Sequence, residues 1–280
     1  MIKKIFSFAV ACTMGIAGWT QVEEQKSDTT EISLGDLKVM VYEDPEAEPD
    51  SVKEEKNRIF HSGGRFDLGM NILFDANGST DMTGDNQWLD LDYAKSLSWS
   101  YYPFDARLDI VDEYVQLGFG AGFEWRNYGL ANNVNVYPKM PIYDSTLTEV
   151  VEYRDTTFGV ISDQFDFSKN RLRTTYLKVP LVLEFNTSTK DSKSFHVEAG
   201  VIGGWRLGSN IKQKFTEDGV DQKRKVKDDF NFNDFTLDAT VRVGYGDVTV
   251  FANYGLTPLF ADGRGPEIYP LTVGISILTW

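Results

Sequence analysis

From Phe195 to Leu207 the chain alternates, residue by residue, between apolar and polar side chains. Phe195, Val197, Ala199, Val201, Trp205 and Leu207 hold the odd positions. His196, Glu198, Gly200, Gly204 and Arg206 hold the even ones, with Ile202 the exception. A period of two sends the two sets to opposite faces of one strand. Ten steps at about 3.3 Å each give a strand of about 33 Å. Tilted by about 40°, it rises about 25 Å, the height of the apolar band on a transmembrane barrel. Such a strand suits a wall between lipid and a polar interior.

The same pattern predicts eight strands, at 63–74, 96–108, 113–129, 171–186, 194–212, 232–246, 247–260 and 269–280. Their connections alternate in length. Short links follow the second, fourth and sixth strands, and long ones follow the first (75–94), third (131–170) and fifth (213–231). Short turns on one side and long loops on the other characterise bacterial outer-membrane barrels, which also have an even strand count. The expected fold is all-β: an eight-stranded antiparallel up-and-down transmembrane β-barrel. Both termini would then lie in the periplasm of a bacterium, with the barrel in its outer membrane. Trp99, Trp125 and Trp205 fall toward the outer strand ends, and Phe185, Phe195 and Tyr245 toward the periplasmic ends. Two such belts fit the two membrane interfaces, although aromatic residues also suit strands in general.

Charge and cysteine content narrow the classes further. The net charge of −14 argues against nucleic acid as a partner. Lys3 and Lys4 followed by the apolar stretch Ile5–Ile16 read as an export signal over 1–20. Cys12 is the single cysteine, which excludes a disulfide framework. It could be an acylated lipobox residue, but the apolar run continues past it. Residues 21–62 form an acidic, proline-punctuated tail that cannot build a core, with a short hairpin expected at 31–42 about a Gly-Asp turn. The barrel occupies 63–280.

Chemistry would have to reside in the lumen. Projecting the face away from lipid gives Arg65, Asp67, Glu124, Arg126, Lys178, Glu184, Glu198, Arg206, Asp238 and Arg242 as its charges, five acids against five bases. Asn71, Gln116, Tyr176, Thr249 and Asn253 join them, with Gly118, Gly120 and Gly122 leaving room for long side chains. Unpaired buried charge is costly, and eight strands enclose a space that side chains can fill. A plugged polar lumen follows, with a structural charge network. A narrow channel is the alternative if the charges leave a water path. Ser194, His196 and Glu198 share one strand face, as residue types that can form a hydrolase triad. Neighbours at i and i+2 point in parallel about 7 Å apart, too far for a nucleophile–base hydrogen bond.

Other patterns are weaker. Asp75, Asn77, Ser79 and Asp81 alternate like calcium-loop ligands, but Thr80 stands where the turn glycine belongs. No metal, cofactor or catalytic residue is expected. Gly118–Gly122 lacks the following helix that dinucleotide binding needs. The stretch 131–170 is a long loop of the kind that is often functional, serving either as a binding surface or as a mere shield. Loop 131–170 and the tail are therefore the candidate contacts for a protein partner, beside the outer-membrane lipid itself.

Residues 96–103, 117–128 and above all 176–185 (Tyr-Leu-Lys-Val-Pro-Leu-Val-Leu-Glu-Phe) resemble the Bacteroidota-type outer-membrane β-barrel family that includes PorT-like proteins. The leader-like segment 28–35 belongs to the same resemblance. It implies a non-enzymatic membrane anchor or platform, with a place in type IX secretion or gliding machinery as a narrower reading. Two features sit awkwardly with it. Val273, Ile275 and Ile277 are out of phase with the terminal aromatic Trp280, which a bulge near Leu278 would reconcile. Pro180 interrupts a paired strand, where a bulge is again expected.

Overall fold

The computed structural model describes residues 29–34, 37–42, 60–143, 150–162, 166–188 and 194–279. The expected export signal at 1–20, Cys12 and the remainder of the tail before Phe60 lie outside these residues, as does Trp280. Within the tail, β1 (Thr29–Leu34) pairs antiparallel with β2 (Leu37–Tyr42), a hairpin starting two residues earlier than the sequence suggested. It belongs to a unit separate from the barrel and is described by itself.

The barrel strands are β3 (Phe60–Asp75), β4 (Leu97–Val111), β5 (Val115–Gly129), β10 (Phe167–Asn186), β11 (Phe195–Glu217), β13 (Phe235–Tyr245), β14 (Val248–Gly255) and β15 (Ile268–Thr279). Between them lie β6 (Val134–Tyr137), β7 (Met140–Tyr143), β8 (Val150–Arg154), β9 (Phe158–Ile161) and β12 (Val220–Lys227). Each barrel strand pairs antiparallel with its sequence neighbour among the eight. β15 returns to β3, closing the ring without a free edge.

The wall is inverted relative to a water-soluble protein. Along β10 the even residues are buried and the odd ones from Val179 to Phe185 exposed, with the same alternation on β13 and β14. Leu181, Val241, Val250 and Ile275 are each about half exposed or more. Beneath that apolar surface Arg65, Arg107, Arg126 and Arg242 are almost fully buried. Ile202, the exception in the alternating stretch, faces inward and is 1% exposed.

Two mid-strand bulges alter the phase, beside register shifts near strand ends between Asp109 and Val111 and between Phe167 and Lys169. Tyr101 pairs with Phe123 but Phe104 with Ala121, so one extra residue enters β4 at Pro103. Even residues face inward before it (Ser98, Ser100, Tyr102) and odd ones after it (Asp105, Arg107). On β11, Tyr176 opposes Arg206 whereas Thr175 opposes Gly208, and inward positions change from even to odd at Ser209. Pro180 needs no bulge. β10 keeps one register with β5 from Lys178–Gly122 to Leu181–Phe119, and the ladder merely lacks its rungs at Val179 and Pro180. β15 likewise runs without a bulge, Leu278 opposing Arg65 and Thr279 opposing Gly64.

The apolar core lies at the long-loop end. Trp88 and Leu89, from a 3-10 turn at Gly84–Leu89, pack there with residues from the other long connections. These include Val134 and Val136, Phe230 and Phe232, and Leu259 and Phe260. Leu172 and Ile211 rise from the wall to meet them. Phe232 and Phe260 stack with centroids 5.2 Å apart. Far from being structureless, the loop at 131–170 pairs β6 with β9 and, further out, β7 with β8.

Candidate functional site

The buried charges form two groups, one above the other in the lumen. Nearer the long loops, Arg126 donates to Glu124 (2.9 Å) and to Asp238 (2.5 Å). Lys178 Nζ lies 2.6 Å from Asp238 and 3.3 Å from Glu124. Two acids and two bases alternate in a closed ring of four. Tyr176 closes it from the side, its ring 5.1 Å from Lys178 Nζ and 5.6 Å from the Arg126 guanidinium.

Nearer the short turns, Arg107 is the hub. Its guanidinium bonds Asp105 and Glu184 and lies 3.3 Å from Glu198. Asp105 also holds Arg65, which stands 3.4 Å from Asp67 and lies over the Tyr102 ring at 4.1 Å. Asp67 accepts from Arg242 at 2.8 Å and from Ser276 Oγ at 2.5 Å. Four carboxylates and three guanidiniums thus form one continuous chain across five strands. Carboxylates and cations in contact offset the cost of taking either from water.

Of the ten charges read from the sequence, Arg65, Asp67, Glu124, Arg126, Lys178, Glu184, Glu198, Asp238 and Arg242 lie in these groups. Arg206 does not. It keeps the even phase but stands just past the last β11–β13 pair, Trp205–Phe235, where it bonds Asp234, whose side chain is 64% exposed. Two members escaped the sequence reading, Asp105 and Arg107, each at most 2% exposed. Their signal was present: polar residues occupy even positions at Ser96, Ser98 and Ser100 and odd ones at Asp105, Arg107 and Asp109. Pro103 marks the change.

The remaining candidates have local partners. His196 Nε2 is 2.8 Å from Thr249 Oγ1. Ser194 Oγ accepts the Ser188 N–H at 3.2 Å, and Glu198 faces Arg107. Ser194, His196 and Glu198 therefore engage three different partners rather than one another. Asp75 accepts the N–H groups of Asn77 (2.9 Å) and Ser79 (2.8 Å), binding its own turn. Among the aromatics, Trp99 stacks on Trp125 at 3.9 Å on the outward face. Trp205 stacks with Phe235 near the long loops, while Phe185, Phe195 and Tyr245 are exposed near the short turns.

At the long-loop end of the lumen, polar bonds as well as apolar packing hold the connections together. Asn170 Nδ2 and Gln213 Nε2 both donate to the Val134 carbonyl, at 2.7 and 3.0 Å. Thr157 Oγ1 donates to the Phe230 carbonyl at 2.7 Å. Asn233 Nδ2 donates to the Pro258 and Phe260 carbonyls. Each bond joins a different pair of connections or ties a connection to the wall.

No curated protein matches the chain. Among solved structures, the attachment invasion locus protein Ail of Yersinia pestis, in complex with the heparin analogue sucrose octasulfate, is 12% identical. Its TM-score is 0.29 over 78% of this chain and 97% of that one. Neisserial surface protein A is 11% identical, again with a TM-score of 0.29, over 78% of this chain and 96% of that one. Likeness at that level speaks to neither ligand nor role. The model of the outer membrane protein beta-barrel domain, in contrast, matches residues 102–264, more than half the chain. An apolar ring around buried ion pairs and a family model covering most of that ring agree: the chain belongs to the outer membrane protein beta-barrel domain family, a barrel of the bacterial outer membrane.

Proposed function

We propose that this protein is a non-conducting, non-enzymatic anchor whose long connections present a surface to a partner. The supporting observation is the double closure of its lumen. Paired charges fill the mid-section, and Trp88, Phe232 and Phe260 seal the space above them. Water and solutes would have to displace both. In this reading the short turns and both termini face the periplasm, as in other even-stranded barrels. The export signal is removed during delivery. The finger built from β6 to β9 and the acidic tail are then the parts free to contact another protein.

Single-channel recording from the refolded protein in a planar bilayer tests this, beside a gel in which only the unheated protein migrates as folded. A folded, electrically silent barrel is expected. Steady conductance would transfer the proposal to the narrow-channel alternative. For the hydrolase alternative, His196→Ala should leave any lipid-modifying activity of the preparation unchanged. A folded variant that loses such activity would restore a catalytic role. The PorT-like resemblance adds a narrower form, membership in a type IX secretion or gliding apparatus. Loss of protein export or gliding on deletion, recovered by re-expression, is its test.

A further inference from the structure

Past the start of β13, β11 pairs with β12 instead, and the rows on one face of β10, β11 and β12 are nearly all cationic. Lys169 opposes Lys214, which opposes Lys223. One step nearer the membrane, Arg171 opposes Lys212, which opposes Lys225. The third row is Arg173, Asn210 and Lys227. These residues share one face, because the buried residues of β10 and β11 here are Asn170, Leu172, Ile211 and Gln213. Like charges directly opposite one another destabilise a sheet. Among the described residues no carboxylate makes an ion pair with any of these cations. Arg171 Nε is buried without a hydrogen-bond partner, and Arg173 donates to Asn127 Oδ1, a neutral acceptor. Among the described residues, acids stand at the margins: Asp221 accepts from Thr216, and Asp228 accepts the Asp229 N–H. Partial burial, with crowding by Arg171, Lys212, Lys214 and Arg173, lowers the Lys169 amine, which stands clear of the apolar band. In a chain of net charge −14, this concentration is local and unbalanced.

Its position names the occupant. The face is continuous with the lipid-facing one, since Leu177, Val179 and Leu181 on β10 share the odd phase of Lys169, Arg171 and Arg173. Leu177 opposes the exposed Trp205 at the aromatic belt. The rows therefore begin about 10 Å beyond that belt, at about 3.3 Å per residue and about 40° of tilt. That is the level of lipid headgroups. Rows about 5 Å apart across strands and about 7 Å along them match the spacing of phosphates held by several cations. We propose that this face binds the phosphate groups of the phosphorylated glycolipid in the outer leaflet. The inference rests on the orientation proposed above.

The test uses the full chain folded in detergent micelles, titrated at low salt with bis-phosphorylated lipid A or its dephosphorylated form. The phosphorylated lipid should raise the temperature at which the folded gel band is lost. It should bind the native protein at least tenfold more tightly than a Lys212→Gln/Lys214→Gln/Lys225→Gln variant. The dephosphorylated lipid should do neither. Should that variant not fold, Lys223→Gln/Lys225→Gln/Lys227→Gln alters only exposed positions of β12, and a weaker affinity is expected there too. Equal affinity in native and variant protein would overturn the proposal. So would tighter binding of a soluble heparin fragment than of lipid A, which would assign the face to a free polyanion. A membrane-impermeant maleimide on whole cells tests orientation separately. Label on Asp262→Cys and none on Asp247→Cys supports it, and the reverse removes the outer leaflet as the source while leaving the affinity comparison standing.

Discussion

At the scale of single residues, burial decides how much an ion pair matters. Arg107 is enclosed by Asp105, Glu184 and Glu198, with almost no exposure to solvent. Arg107→Met removes one cation and leaves three carboxylates facing one another. Losing one partner of a buried pair costs about 3–5 kcal/mol, and urea unfolding followed by the folded gel band should show a loss of that size. Arg206 looks equivalent in the sequence, yet its partner Asp234 is largely in water. Exposed pairs contribute about 0–1 kcal/mol, so Arg206→Met should shift the same curve by no more than that. A second residue-scale feature is Phe230, which holds a φ of 49° beside Asn231 at the same value. Bulky residues occupy that region only when surroundings hold them there. Here the holding contacts are the Thr157 bond to the Phe230 carbonyl and the packing of its ring with Phe232.

At the scale of strands, the two bulges explain most of what the sequence conceals. Strand number, alternation and the unequal connections were all legible, because a period of two needs only neighbouring residues. A projection along an ideal strand fails beyond an inserted residue, which flips every later side chain. That is why Asp105 and Arg107 were missed; Arg206, which precedes its bulge, was placed too deep because β13 begins at Phe235 rather than at 232. Close backbone approach along the wall also sets requirements on glycines, Gly120 opposite the β4 bulge among them. A Cβ on Gly120 would lie 2.6 Å from the Phe104 carbonyl oxygen, a backbone atom that cannot swing away. Gly120→Ala should therefore cost about 1–3 kcal/mol, as overpacking does. Gly208, at the other bulge, has nothing within 4 Å of such a Cβ. Gly208→Ala should leave the unfolding curve unchanged within about 0.5 kcal/mol. If the two glycines respond alike, the bulge does not impose this approach.

At the scale of the molecule, two unlike groups of buried residues are stacked in one tube, a charged one and an apolar one. The apolar cap was not legible, since its members come from separate polar loops and have no common period. Trp88 and Phe230 fall in expected loops, while Phe232 and Phe260 fall at the outer ends of the expected strands 232–246 and 247–260. Truncating Phe232 and Phe260 together to Ala should loosen the long connections. Protease added on that side should cut them faster, while the unheated protein still migrates as folded. The bilayer current should stay at zero, because the ring of Glu124, Arg126, Lys178 and Asp238 still fills the section below. Current in the double variant would mean that the cap is the only seal.

The placement of that cap also bears on how the barrel arrives. A chain delivered from the side that keeps its termini must push four polar connections across the bilayer before Trp88, Leu89, Phe232 and Phe260 can meet. In the orientation proposed above, their collapse would come only on the far side, after the crossing. Retreat would then require dismantling that cluster first, and in that orientation the cap would act as a ratchet: packing formed after passage would make insertion one-way.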